Sequence, residues 1–320
     1  MYSEQTGAKL IKFDIFAPAM GNTGVRIFEA VMLPIQRLPL RFHYFWGDAV
    51  AWFLKNVMRY RRDVILTNIA RSFPEKKYGE IRKLTDAFYT HFGELLAETI
   101  WFGGCKGRPQ RLRRQHICEY KGVPALIPVV GKKGAVILDS HFGNWELVGG
   151  LCHYVYEQDI PFDYQRICIA HRDLKSKFFE QFIEHNRCAV VPGFVGYVET
   201  ADILRYAIKH RHDREGIIYI FITDQHPYKG YAQTRMPDFM HQKTTTVMGG
   251  AALAHKFGLP VIYMSLNKVS RGHYECHFPV ICEDASKEDP VEIMKKYYAL
   301  LEKDINSNPT NYLWSHKRWK

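Results

Sequence analysis

The chain has 320 residues, 47% apolar, 24% charged and 14% aromatic, a globular composition that excludes collagen-like and disordered classes and allows one large domain or two ordinary ones. Its net charge of +11 points to an acidic partner: nucleic acid, an anionic membrane surface or an acidic protein. Seven scattered cysteines (Cys105, Cys118, Cys152, Cys168, Cys188, Cys276 and Cys282) form no C-x2-C pair or zinc spacing, which implies a reducing compartment without structural disulfides.

The start, Met1-Tyr2-Ser3-Glu4, lacks the basic stretch and apolar core of a signal peptide. No uncharged apolar run reaches the roughly 18–20 residues a spanning helix needs. Asp14, Arg26, Glu29, Arg37, Arg41, Asp48 and Lys55 break the nearest candidates, so no transmembrane helix is expected. Residues 1–24 are weakly patterned. An apolar series from Val25 ends in Pro34 and Pro39, and residues 42–58 carry Phe42, Tyr44, Phe45, Trp46, Trp52, Phe53, Val57 and Met58 before the basic cluster Arg59, Arg61, Arg62. Rings edged with arginine suit a bilayer headgroup region. An ordinary helix packed on the core, with solvated arginines, fits the same pattern.

Ser72-Phe73-Pro74 ends that stretch. Ile81, Leu84, Phe88, Phe92, Leu95, Leu96 and Ile100 then draw a one-sided helical stripe over 78–101. Lys106–Arg114 holds five basic residues in nine, either a solvated loop or a contact for phosphates or an acidic protein.

From residue 123 strand-like runs (135–138, 166–170, 188–191, 217–223, 260–264, 276–282) alternate with helical stretches (143–155, 173–185, 198–210, 244–257, 289–305). The alternation predicts an α/β fold: a mixed, largely parallel sheet covered by helices, with chemistry at the carboxyl ends of its strands. Ser140-His141, His171-Arg172 and Thr223-Asp224-Gln225-His226 fall at such ends. We expect a helical, membrane-interface region over 1–122 and an α/β region over 123–320, joined in one globular unit.

Ala135–Leu138 read as a buried strand and the segment after Gly143 as helical, which places His141 in the turn between them and Glu146 one turn into the helix. Residues five apart on one helix differ by about 140° and do not face each other, but from the turn the His141 ring can reach back to Glu146. A histidine held by a carboxylate suits general-base work. The competing reading is a turn histidine capping the helix, with Glu146 solvated. G-x-G-x-x-G, the phosphate-loop lysine motif and the G-x-S-x-G elbow are all absent from the sequence, which lowers the weight of nucleotide enzymes and serine hydrolases.

His141-Phe-Gly-Asn-Trp-Glu146 resembles the H-x4-D/E motif of membrane acyltransferases, in the form found in bacterial lipid A late acyltransferases, the lauroyl and myristoyl transferases of Kdo-lipid A. Ser72-Phe73-Pro74-Glu75, His171-Arg172-Asp173-Leu174-Lys175, Thr223-Asp224-Gln225, Thr246 with Gly249 and Ala251, and Asn308-Pro309 with Tyr312–Trp319 resemble further family blocks in order. The resemblance, over about residues 35–319, implies a glycerolipid-acyltransferase-like fold. It implies acyl transfer from acyl carrier protein to a hydroxyl of an anionic lipid acceptor, on the cytoplasmic face of the bacterial inner membrane, without metal, cofactor or covalent enzyme intermediate and without nucleic acid as partner.

In that resemblance His141 is the base, Glu146 orients it, backbone N–H groups at Gly143 and Asn144 or the Arg172 side chain meet the oxyanion, and Asp224 with Gln225 positions the acceptor or holds Arg172. Three departures bear on membrane attachment and acceptor. Residues 1–40 offer no spanning helix, so attachment is interfacial; His171 and Asp173 replace a tyrosine and a proline; Pro237-Asp238-Phe239-Met240 replaces P-F-F-G. The open alternatives are a same-family enzyme acting on an aminolipid, lysophospholipid or pigment lipid, a non-catalytic binding protein, and a metal hydrolase.

Overall fold

A computed structural model of the chain describes residues 23–154, 159–172, 176–191, 193–227 and 234–319. The expectations that fall on residues 1–22 and on Asp173–Lys175 lie outside the described residues.

Five helices lead: α1 (Thr23–Gln36), α2 (Leu40–Asn56), α3 (Arg62–Ser72), α4 (Tyr78–Gly103) and α5 (Pro109–Gln115). Strand β1 (Cys118–Lys121), α6 (Leu126–Val130) and β2 (Ala135–Asp139) follow, and a 3₁₀ helix spans Trp145–His153. Then come β3 (Ile167–His171), α7 (Lys177–Arg187), β4 (Tyr197–Glu199), α8 (Ile203–His210), β5 (Ile218–Ile222), β6 (Thr234–Phe239), β7 (Gln242–Thr246) and α9 (Gly249–Phe257). The chain closes with β8 (Val261–Tyr263), β9 (Ser265–Ser270), β10 (His273–His277), β11 (Val280–Cys282) and α10 (Pro290–Ser307).

The main sheet has the order β11-β8-β2-β5-β3-β4, parallel except for the antiparallel edge strand β11. A smaller sheet, β1-β10-β9, and the hairpin β6-β7 flank it. The hairpin turns on Met240 and His241, both at positive φ, the backbone a two-residue hairpin loop requires. Strand β2 is buried along its whole length, as a central parallel strand covered on both faces must be. Its residues alternate: Val136 and Leu138 join the core under α9 and α10, while Ala135 and Ile137 join the core under the 3₁₀ helix and β10. Helix α4 feeds both cores, with Phe88 and Tyr89 in one and Trp101 and Phe102 in the other.

Helix α2 lies on α4 through a glycine contact. A Cβ at Gly47 would sit 2.7 Å from the Gly93 carbonyl oxygen, and one at Gly93 would sit 2.4 Å from that of Gly47. The two backbones approach closely because neither carries a side chain there. The contact buries Leu40, His43, Gly47 and Ala51 and turns the other face of α2 outward, leaving Phe45, Trp46, Trp52, Phe53, Val57 and Met58 exposed. No helix among the described residues is long and apolar enough to cross a membrane.

Four assignments from the sequence are corrected. The run 276–282 holds parts of two strands in different sheets, the end of β10 and all of β11, and the helix expected from 198 starts at Ile203, after β4. Residues 188–191 are not a strand: they form the turn after α7, where Ala189 and Val190 are buried without sheet partners. Residues 244–246 belong to β7, and the helix expected from 244 starts at Gly249. Three successive threonines, stiff at χ1, favour the extended ladder with β6.

Candidate active site

Strands β2 and β5 run parallel in register, Asp139 beside Ile222. Two residues further along each chain stand His141 and Asp224, so the sheet itself brings them together. The His141 Nδ1 lies 2.8 Å from Asp224 Oδ1, and the same oxygen accepts the His141 backbone N–H at 3.0 Å. The carboxylate therefore fixes both the ring and the turn that carries it. Asp224 is 1% exposed at its side chain and His141 17%, so the imidazole reaches solvent while the carboxylate does not.

On the other ring nitrogen, Nε2, the Gln225 amide nitrogen sits at 2.9 Å. With Nδ1–H donating to Asp224, the Nε2 lone pair accepts from that amide. Trp145 meets the imidazole edge to face, centroids 4.7 Å apart.

Two carboxyls at the strand ends have opposite electrostatics. Burial pushes Asp139 well above the ordinary carboxyl range, and the Asp224 charge adds to the rise. Burial also opposes the charged form of Asp224. There the His141 charge, its two hydrogen bonds and the buried Arg318 guanidinium outweigh that penalty and hold the carboxyl below its ordinary value. A neutral Asp139 beside an ionised Asp224 keeps one negative charge on the imidazole rather than two.

The structure assigns His141 a carboxylate other than the one the His-x4-Glu spacing pointed to. Glu146 accepts two hydrogen bonds from Arg187, Nε to Oε2 and Nη2 to Oε1, each 2.6 Å. The reason is local: Gly143 takes φ +69°, and the segment from Trp145 winds as a 3₁₀ helix that aims Glu146 at the end of α7. Burial works against the charge on Arg187, and the Glu146 bonds and charge more than compensate, raising it above the usual guanidinium value.

The Gly143 N–H, expected at the oxyanion, donates instead to the Asn311 carbonyl at 3.0 Å. The C-terminal segment closes over this turn, with Phe142 bridging to Tyr312 and the Leu313 N–H donating to the His141 carbonyl. The Asn144 amide donates to the buried Glu98 carboxylate at 2.8 Å, and its oxygen accepts from the Glu146 backbone N–H. Arg172 stands exposed just past β3, one strand beyond β5 from His141.

Sequence reading missed Glu98 and Arg187. Glu98 left one signal, a carboxylate on the buried face of α4; Arg187 left none, because its role appears only when α7 packs beside the 3₁₀ helix. No group of three or more His, Cys, Asp or Glu side chains placed to hold a metal occurs among the described residues.

No curated protein matches the chain. A family sequence model described as bacterial lipid A biosynthesis acyltransferase matches residues 12–320, nearly the whole length. The motif around His141, its place at the end of a central parallel strand and this match agree: the chain belongs to the bacterial lipid A biosynthesis acyltransferase family.

Proposed function

We propose that the protein transfers a fatty acyl chain from acyl carrier protein to a hydroxyl of a lipid A precursor or related glycolipid, working on the cytoplasmic surface of the inner membrane. The observation that carries this reading is the pair His141 and Asp224, with Nδ1 held at 2.8 Å and Nε2 directed at a group that can be displaced, the Gln225 amide.

In the proposed reaction the acceptor hydroxyl takes the place of the Gln225 amide at Nε2. The imidazole removes its proton while Asp224 stabilises the imidazolium. The alkoxide attacks the thioester carbonyl, the C–S bond breaks, and the departing thiolate takes the proton back from Nε2. The Gly143 N–H is engaged by Asn311, which leaves Arg172 as the cationic candidate for the developing oxyanion. Glu146 acts through Arg187, whose guanidinium it holds where the end of α7 packs beside the 3₁₀ helix.

The charge of +11 fits an acidic carrier and anionic headgroups through long-range attraction. The exposed face of α2, with Trp52 at 62% and Phe45 at 67% exposure, fits insertion at the headgroup level.

The test is purified protein with acyl carrier protein or coenzyme A as acyl donor, and a Kdo-lipid A precursor, an aminolipid and a lysophospholipid compared as acceptors. Thiol release with acylation of the lipid A precursor, lost in His141→Ala, is the expected result. Turnover with another acceptor alone would move the substrate, and no thioester consumption with any acceptor would end the acyl-transfer reading.

A further inference from the structure

A second concave site lies away from the His141 turn, between the carboxyl end of α2, the start of α3 and the first turns of α4. It is a cavity of about 210 Å³. Lys55, Arg59, Arg62 and Arg82 wall it, and the buried Thr85 and Tyr89 lie at its base. The one acid on its lining, Asp86, is paired with Lys55 at 3.0 Å. Among the described residues none of the three arginines is ion-paired, so the cavity holds three uncompensated guanidinium groups.

Guanidinium forks converging on a small hollow match the oxygens of a phosphate. The surroundings say which phosphate. Trp52, Phe53, Val57 and Met58, all exposed, project from the same helix end that contributes Lys55 and Arg59. Rings and aliphatic side chains at the depth of the acyl boundary, with arginines one turn further on, reproduce the layering of a bilayer from hydrocarbon to phosphate.

We propose that this cavity binds the headgroup phosphate of an anionic membrane lipid and so fixes how the enzyme sits on the bilayer. The inference rests on the membrane-surface reading of α2. A hollow of this size takes one phosphate and not the broad acidic face of a carrier protein.

The test compares flotation on vesicles of phosphatidylcholine alone and of phosphatidylcholine with phosphatidic acid. The variants are Arg59→Gln/Arg82→Gln and, removing equal charge from exposed positions elsewhere, Arg205→Gln/Arg214→Gln. Circular dichroism and thermal melting confirm folding of each. The cavity variant is expected to lose affinity for the anionic vesicles by about fivefold per charge, roughly thirtyfold in all, with the control little changed. Equal losses in both variants would show a diffuse charge effect and overturn the site. So would a cavity variant that keeps vesicle binding but loses acyl carrier protein binding.

If the wild-type protein floats with neither vesicle, the membrane reading of α2 fails. The cavity is then judged on short-chain phosphatidic acid and inorganic phosphate, followed through the arginine Nε–H resonances. Perturbation of those resonances by the lipid, absent in the cavity variant, keeps the site. Response to neither ligand, or to inorganic phosphate alone, sinks it.

Discussion

His141 and Asp224 are 83 positions apart in the chain and 2.8 Å apart in the fold, imidazole Nδ1 against carboxylate Oδ1. Parallel register between β2 and β5 produces the contact, and no loop has to be ordered to make it. If this pair is the base and its orienter, Asp224→Asn keeps the fold but presents the wrong hydrogen-bonding partner to Nδ1. Turnover should fall by roughly 10²–10⁴-fold, as should that of His141→Ala. Steady-state kinetics beside circular dichroism checks this; an Asp224→Asn enzyme with most of its wild-type turnover would remove the dyad.

Glu146 sits five positions from His141 and is bound to Arg187 instead. Its substitution therefore reads out on Arg187. In a double-mutant cycle of Glu146→Gln and Arg187→Gln, melting data should show coupling of about 1 kcal/mol, moderated because 31% of the Arg187 side chain reaches solvent. Glu146→Gln should also lower turnover less than Asp224→Asn. The reverse order of the two variants would restore Glu146 as the partner of His141.

The contrast shows what the sequence carries. Runs such as Ala135–Leu138 and Ile217–Thr223 announce central strands because both faces of each are buried. Their carboxyl ends therefore announce where polar chemistry gathers. Pairing across the sheet is not written locally: His141 finds Asp224 only once β2 and β5 align, and a positive-φ glycine and a 3₁₀ turn direct the nearer carboxylate, Glu146, to Arg187. Cys188–Val191 misled for a related reason. A half-buried apolar run in a turn has the same composition as a short strand, and only its missing ladder distinguishes them.

Gln225 engages Nε2 of His141, the nitrogen that the proposed reaction offers to the acceptor hydroxyl. Gln225→Glu places a second carboxylate against the imidazole and favours its protonated form. The rate at neutral pH should drop and recover as pH is raised, whereas Gln225→Ala, which only frees Nε2, should show no such recovery. A pH–rate profile of each variant decides, and superimposable profiles would place Gln225 outside the proton path.

Gly143 combines φ +69° with a neighbour that leaves no room: a Cβ there would fall 2.1 Å from the Leu266 carbonyl oxygen. Gly143→Ala should destabilise by about 1–3 kcal/mol from backbone strain alone, with the clash in addition. Because the same residue ties the turn to Asn311, activity should fall with stability. A melting temperature equal to wild type would mean that the turn relaxes freely.

Glu98 is fully buried and accepts hydrogen bonds from Tyr44 and Asn144, at 2.7 and 2.8 Å, and from Tyr274 at 2.8 Å. Burial raises its carboxyl above the ordinary range, against the pull of those three bonds and of the Lys268 charge. A raised value means that the folded chain keeps the proton after the unfolded chain has lost it. The associated stability is complete below about pH 4.3 and is lost as pH rises towards the folded value, by about 1.4 kcal/mol per unit. Glu98→Gln is neutral at every pH and lacks this component. Thermal unfolding from acid to neutral pH should therefore show the wild type losing ground to Glu98→Gln as pH rises. A wild type that instead gains on the variant would mean that the three donors hold an ionised carboxylate beneath the His141 turn.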